Sequence, residues 1–133
     1  MNTTSEKTII ELVLQYATQM NAIETHAHAT QQDFTEYQAA YKVIFDKYVT
    51  EKKRVYGGKG DCYGDPTKYD GIETATETLV TFKTKSKAEV YFKTENDFDA
   101  EYLFILLNQK GEWKIDSYKE KWYNAEKWTN RLL

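Results

Sequence analysis

The chain has 133 residues, of which 41% are hydrophobic, 15% aromatic and 29% charged, so it can form one core and is expected to be a single domain over residues 1–133. Its net charge of −3 gives no basic footprint for nucleic acid or an anionic membrane. Cys62 is the only cysteine, and the first residues lack the basic start and apolar run of a secretion signal, so the sequence favours a cytoplasmic protein.

Two amphipathic helices are predicted in the first part of the chain. Apolar residues recur at helical spacing from Ile9 to Met20, which predicts a helix over roughly residues 5–29. The second half of this segment has few large apolar residues, so the helix is expected to weaken or break there. Asp33 and Glu36 have the spacing of a capping box and precede a second helix, whose aromatic stripe ends at Tyr48.

A glycine-rich segment, Gly57 to Gly71, separates the helices from the rest of the chain. It holds five of the six glycines and the only proline, so neither a helix nor a strand is expected to run through it. A connection of this length is uncommon in a compact domain and is often functional. A packed, inert surface loop is the alternative.

An antiparallel meander of four strands is predicted after this loop. Thr74–Thr84 and Ala88–Lys93 have strand composition, with a tight turn at Lys85 and Ser86. The continuous apolar run Tyr102–Leu107 predicts a central strand that is buried on both faces. The tail from Tyr123 to Leu133 is expected to add a short helix or an extended cover.

The fourth strand follows a turn at Gln109, Lys110 and Gly111, where glycine allows positive φ. Regular alternation places two sets of side chains on opposite faces: Trp113, Ile115 and Ser117 on one, and Lys114, Asp116 and Tyr118 on the other. The fold class is therefore α+β, with N-terminal helices on a strongly curved antiparallel sheet of four or more strands.

Few residues have the pattern of a metal site or an activated nucleophile. His26 and His28 are the only histidines and fall on different sides of a helix, whereas zinc needs three or four convergent ligands. Cys62 has no basic neighbours to lower its pKa. We therefore expect no metal and no cofactor. Asp116, Tyr102 and Tyr118 are the candidates for general acid–base chemistry in a pocket, but Asp116 is more simply a structural carboxylate paired with a lysine on a neighbouring strand.

Several segments together resemble a known fold. They are Tyr37-x-x-x-Tyr41 continuing to Tyr48, Lys87-Ala88-Glu89-Val90, Glu101-Tyr102-Leu103-Phe104 with Leu106, Gly111 to Asp116, and Lys127-Trp128. With the two helices and the meander, they resemble the nuclear transport factor 2-like fold, a cone-shaped domain. More narrowly, the chain is similar to bacterial immunity proteins of that fold, which neutralise toxin domains of polymorphic toxin systems such as the Rhs type. The resemblance covers most of the chain from Asp33 onward.

This resemblance implies a non-enzymatic protein that binds a cognate toxin domain. Two alternatives stay open: a small enzyme or ligand carrier that uses the cone, as the ketosteroid isomerase-like and polyketide cyclase-like relatives do, and a homodimerisation module. No acid–base pair is prominent in the sequence, and aromatic residues are expected to fill the cone, which favours the binder.

The glycine-rich loop is the predicted partner-binding surface, because it combines tyrosines with carboxylates and matches the family least. The residues are Tyr56, Asp61, Tyr63, Asp65, Tyr69 and Asp70. Tyrosine gives contact area at low entropic cost, and carboxylates complement the basic surface of a toxin that acts on nucleic acid. The exposed face of the sheet around Tyr91 and Tyr118 is the next candidate.

Overall fold

The computed structural model describes residues 3–30, 34–52, 67–96, 99–122, 125–131 and 133. The elements in chain order are helices α1 (Thr3–Thr30) and α2 (Phe34–Tyr48), a 3-10 turn (Ile72–Thr74), and strands β1 (Glu77–Thr84), β2 (Lys87–Lys93), β3 (Glu101–Gln109), β4 (Glu112–Lys121) and β5 (Thr129–Arg131). The strands form one antiparallel sheet in the order β1-β2-β3-β4-β5. The predicted α+β fold is confirmed. The sheet is open, and the tail supplies its fifth strand.

Helix α1 continues through the segment where the sequence predicted a weak half. Asn21, Glu24 and Ala27 are all buried there, so this half also packs against the rest of the molecule, although it has few large apolar residues. Helix α2 begins at Phe34, as the capping pattern predicts. Asp33, the predicted cap, lies outside the described residues.

The helices cover one face of the sheet, and the central strand shows this directly. Along β3, Tyr102, Phe104 and Leu106 are buried, whereas the residues between them are only partly buried. The prediction that this strand is buried on both faces was therefore wrong, because the residues on its second face keep part of their surface exposed.

A β-bulge at Asp116 changes which residues of β4 face the core. Ile105 pairs with Ser117 but the next residue, Leu106, pairs with Ile115, so Asp116 is the extra residue in the ladder. The extra residue reverses the alternation beyond it. Tyr118 is therefore buried on the same face as Ile115, and the predicted faces were wrong from this point onward.

The β3–β4 turn matches the sequence prediction. Lys110 and Gly111 both have positive φ, 57° and 83°, as a two-residue hairpin turn of type I′ requires. The β1–β2 turn also lies at the predicted residues, Lys85 and Ser86. The meander is therefore assembled from hairpins whose turns are encoded locally.

Candidate functional site

Tyr69 fills the space between α1 and the sheet. Its side chain is fully buried, and its ring lies against four other aromatic rings at centroid distances of 5.2 to 6.3 Å: those of Tyr16, Tyr102, Phe104 and Tyr118. Its hydroxyl is 2.9 Å from that of Tyr16. An aromatic filling of the interior was predicted, but this residue was expected on the surface.

Two polar side chains of α1 hold the segment that carries Tyr69. The Asn21 amide donates to the carbonyl of Tyr69 at 3.0 Å and accepts from its N–H at 3.1 Å, so both backbone groups are satisfied by one side chain. A carboxylate oxygen of Glu24 accepts from the N–H of Lys68 at 3.3 Å. Sequence reasoning missed both residues. The available signal was a pair of polar residues, three positions apart, in a half-helix with few large apolar residues.

The predicted partner-binding residues are only partly visible in the structure. Tyr56, Asp61, Tyr63 and Asp65 lie outside the described residues. Tyr69 is fully buried, so its ring is not available on the surface as predicted. The ring lies in the core because it fills the space between α1 and the sheet. Asp70 is half-buried.

The backbone of Asp70 is fixed from the sheet side. Its carbonyl accepts from the Tyr102 hydroxyl at 2.8 Å and from the Asn96 amide at 2.9 Å. These two hydrogen bonds therefore fix the backbone from which the Asp70 side chain extends, at the open end of the interior.

A pocket of about 390 Å³ opens at this end. Its walls come from the segment after Pro66, from β3 and from both sides of the β4–β5 connection: Thr67, Lys68, Asp70, Asn96, Ala100, Tyr102, Tyr118, Glu120, Trp122 and Arg131. Within it, a carboxylate oxygen of Glu120 lies 3.2 Å from Nε of Arg131. The guanidinium of Arg131 also lies over the ring of Trp122, at 5.7 Å from its centroid. The pocket lining therefore combines an ion pair with aromatic rings.

Burial controls the protonation of the pocket groups. It raises the pKa of Glu120 above the usual value, while the nearby Arg131 opposes the shift. Burial, followed by the charge of Glu120, raises the pKa of both Tyr102 and Tyr118. Both phenols therefore stay protonated at neutral pH, and the hydroxyl of Tyr102 donates to the Asp70 carbonyl.

Asp116 lies away from this pocket, and it plays a structural role as predicted. Its carboxylate accepts from the Thr50 hydroxyl at 2.8 Å and from Nζ of Lys52 at 3.0 Å. The lysine comes from the segment after α2 and not from a neighbouring strand. The N–H of Thr50 also donates to the carbonyl of Ile115 at 2.9 Å. The bulge thus attaches the end of α2 to the sheet.

Of the two residues proposed on the exposed sheet face, only Tyr91 is there. Tyr118 is buried on the opposite face, since the bulge turns it inward. The hydroxyl of Tyr91 donates to Glu101, and its ring meets the edge of Trp128 with centroids 6.1 Å apart.

Neither a cluster of metal ligands nor a membrane-spanning helix occurs in the described part of the chain. In it, no three His, Cys, Asp or Glu side chains converge as they would around a metal ion. No described helix is long and apolar enough to cross a membrane.

Comparison with known proteins gives one match. A family model described as "NTF2 fold immunity protein" matches residues 8–131. No curated protein and no solved structure matches the chain.

Proposed function

The chain belongs to the NTF2 fold immunity protein family, and from this premise we propose that it binds and neutralises a cognate toxin domain in the bacterial cytoplasm. The observation that carries the proposal is the filled interior. Tyr69 is fully buried between α1 and the sheet, against four other aromatic rings. An interior filled in this way favours a function of the surface, where inhibition needs only a complementary, preformed shape.

The contact surface that we propose is the segment that leads to Asp70. Tyr56, Asp61, Tyr63 and Asp65 supply two aromatic anchors and two carboxylates, and Asp70 supplies a third carboxylate. Asn21 and Glu24 hold the backbone of Tyr69 and Lys68, just before Asp70, against α1. A toxin that acts on nucleic acid has a basic active-site surface that these carboxylates would cover.

The test compares two sets of substitutions within this surface. Asp61, Asp65 and Asp70 are changed together to Asn in one variant, and Tyr56 and Tyr63 together to Ala in the other. We expect the first variant to lose association rate, mainly at low salt, and the second to gain dissociation rate. Binding kinetics with the cognate toxin and rescue of toxin-expressing cells are the measurements, with folding checked by circular dichroism.

Asp116→Asn is the matched control, because it removes a carboxylate that has a structural role, bonded to Thr50 and Lys52. It should bind and protect like the parent. If both loop variants fold, bind and protect like the parent, the proposed contact surface is wrong. If only the Asp116→Asn variant fails to protect toxin-expressing cells while it stays folded, the result supports a catalytic role for that carboxylate.

The pocket favours a second candidate function, which is the binding of a small polar ligand. Its size, the Glu120–Arg131 pair and the phenol donors would suit a molecule with both an aromatic and a charged part. Native mass spectrometry of the protein purified from its own host is the test. A retained small molecule that is lost on Arg131→Ala supports this function, and a parent protein that carries none supports the binder.

A further inference from the structure

Strand β1 is an open edge of the sheet. It pairs with β2 on one side, and six of its eight residues are exposed. Among the described residues, no other strand pairs with it. An edge strand presents a row of backbone donors and acceptors that another strand can pair with. Native edges are commonly blunted by proline, by shortness, by charged side chains or by a β-bulge. Strand β1 has no proline and is eight residues long, but it carries a bulge and a charge at Lys83, near its end.

The register with β2 shows which side chains of β1 share a face. Thr78, Val80 and Phe82 lie opposite buried residues of β2, so they are on the helix side. The outer side carries Glu77, Leu79 and Thr81. Lys83 is also on the outer side, because its Nζ lies 3.6 Å from the carboxylate of Glu89, which pairs with Thr81. The two ends of the outer row thus carry opposite charges.

We propose that β1 pairs antiparallel with β1 of a second copy, with the two Val80 residues facing each other. Glu77 then lies opposite Lys83 of the second copy, and the twofold axis repeats this pair. Leu79, which is 61% exposed, lies opposite Thr81. The strand is thus complementary to itself in charge, and its apolar residues stay on matching faces.

Other registers lack this complementarity. A slip of two residues in either direction removes both ion pairs, because Glu77 then faces Thr81 or passes the end of the partner strand. A slip of one residue would place helix-side residues opposite outer residues. Lys83 is the bulged residue of β1, and its long side chain can reach across this irregular last step.

The proposed dimer leaves the pocket accessible. Strand β1 is at the opposite edge of the sheet from β5, whose Arg131 lines the pocket. Each copy therefore keeps its pocket side free, and the two sheets join into one continuous sheet. One edge strand gives a small interface, so we expect a concentration-dependent equilibrium between monomer and dimer.

Charge reversal in the full chain tests the register. Glu77→Lys and Lys83→Glu should each weaken the dimer by about tenfold, because two favourable cross-strand pairs become two repulsive ones. An equal mixture of the two variants should form the heterodimer, in which both pairs are favourable again. The double variant should dimerise like the parent. Sedimentation velocity over a wide concentration range measures all four samples.

Glu112→Lys and Lys119→Glu are the matched controls, since they make the same charge changes on β4, away from the β1 edge. They should leave the dimer constant unchanged, and melting curves check that every variant is folded. A parent that is monomeric at every concentration overturns the proposal. A dimer that survives both reversals, or a mixture that does not recover, also overturns it. Monomers whose toxin binding falls with both reversals assign the edge to the toxin instead.

Discussion

At the scale of single residues, the Asn21 amide links α1 to the segment that carries the central aromatic side chain. The amide makes two hydrogen bonds to the backbone of Tyr69, one as donor and one as acceptor, as a neighbouring strand does in a β-sheet. Asn21 itself lies in a helix. The amide matters because Tyr69 is fully buried and water cannot replace these bonds.

Replacing Asn21 with Ala should therefore be costly. It leaves the buried N–H of Tyr69 without this partner, whereas the Tyr69 carbonyl keeps a hydrogen bond from the N–H of Ile72. We expect a loss of about 1–3 kcal/mol in the free energy of unfolding. Urea denaturation of the parent and the variant measures the loss. Thr18→Ala is the control, because that hydroxyl bonds only to carbonyls of its own helix, and it should cost far less. Equal losses in the two variants would remove the special role of Asn21.

At the scale of elements, the sequence predicted what depends on local pattern and missed what depends on contacts between elements. Both helices and four strands follow from apolar periodicity and turn residues, which act locally. The bulge at Asp116 could not be predicted in this way, because it is associated with hydrogen bonds from Thr50 and Lys52, which follow α2 in the chain. The inward position of Tyr69 was missed for the same reason, since its glycine-rich surroundings resemble a surface loop.

Two aromatic residues on the helix side of the sheet make different contributions to stability. Phe104 is fully buried and lies between three aromatic rings, so Phe104→Ala should cost about 3–5 kcal/mol through the cavity that it leaves. Trp113 is only partly buried and meets Phe82 near the end of the sheet. We expect a clearly smaller loss for Trp113→Ala. Thermal melting of both variants measures the two losses in stability, and equal losses would contradict this ranking.

At the scale of the whole molecule, the stability should depend on the protonation of Glu120. Burial raises the pKa of Glu120 above 4.5, so the folded protein keeps this proton to a higher pH than the unfolded chain does. Folding therefore takes up a proton just above this pH, and the contribution of Glu120 to stability falls as the pH rises through that window.

Glu120→Gln removes this titration and isolates its effect. As the pH rises from about 4 to about 7, the Tm of the variant should gain relative to that of the parent. Melting curves at matched ionic strength measure the difference. A difference in Tm that stays constant with pH would show that the carboxylate of Glu120 titrates normally in the folded protein.

The order in which strands follow one another also has a kinetic consequence. Each strand pairs with its neighbour in the chain, so the sheet can zip together from short hairpins, and these contacts have a low sequence separation. The bonds between Asn21 and Tyr69 span 48 residues and close a much larger loop. We expect the sheet to form early and α1 to dock late. In stopped-flow measurements, Asn21→Ala should then mainly speed unfolding, whereas changes at the Lys110–Gly111 turn should slow folding.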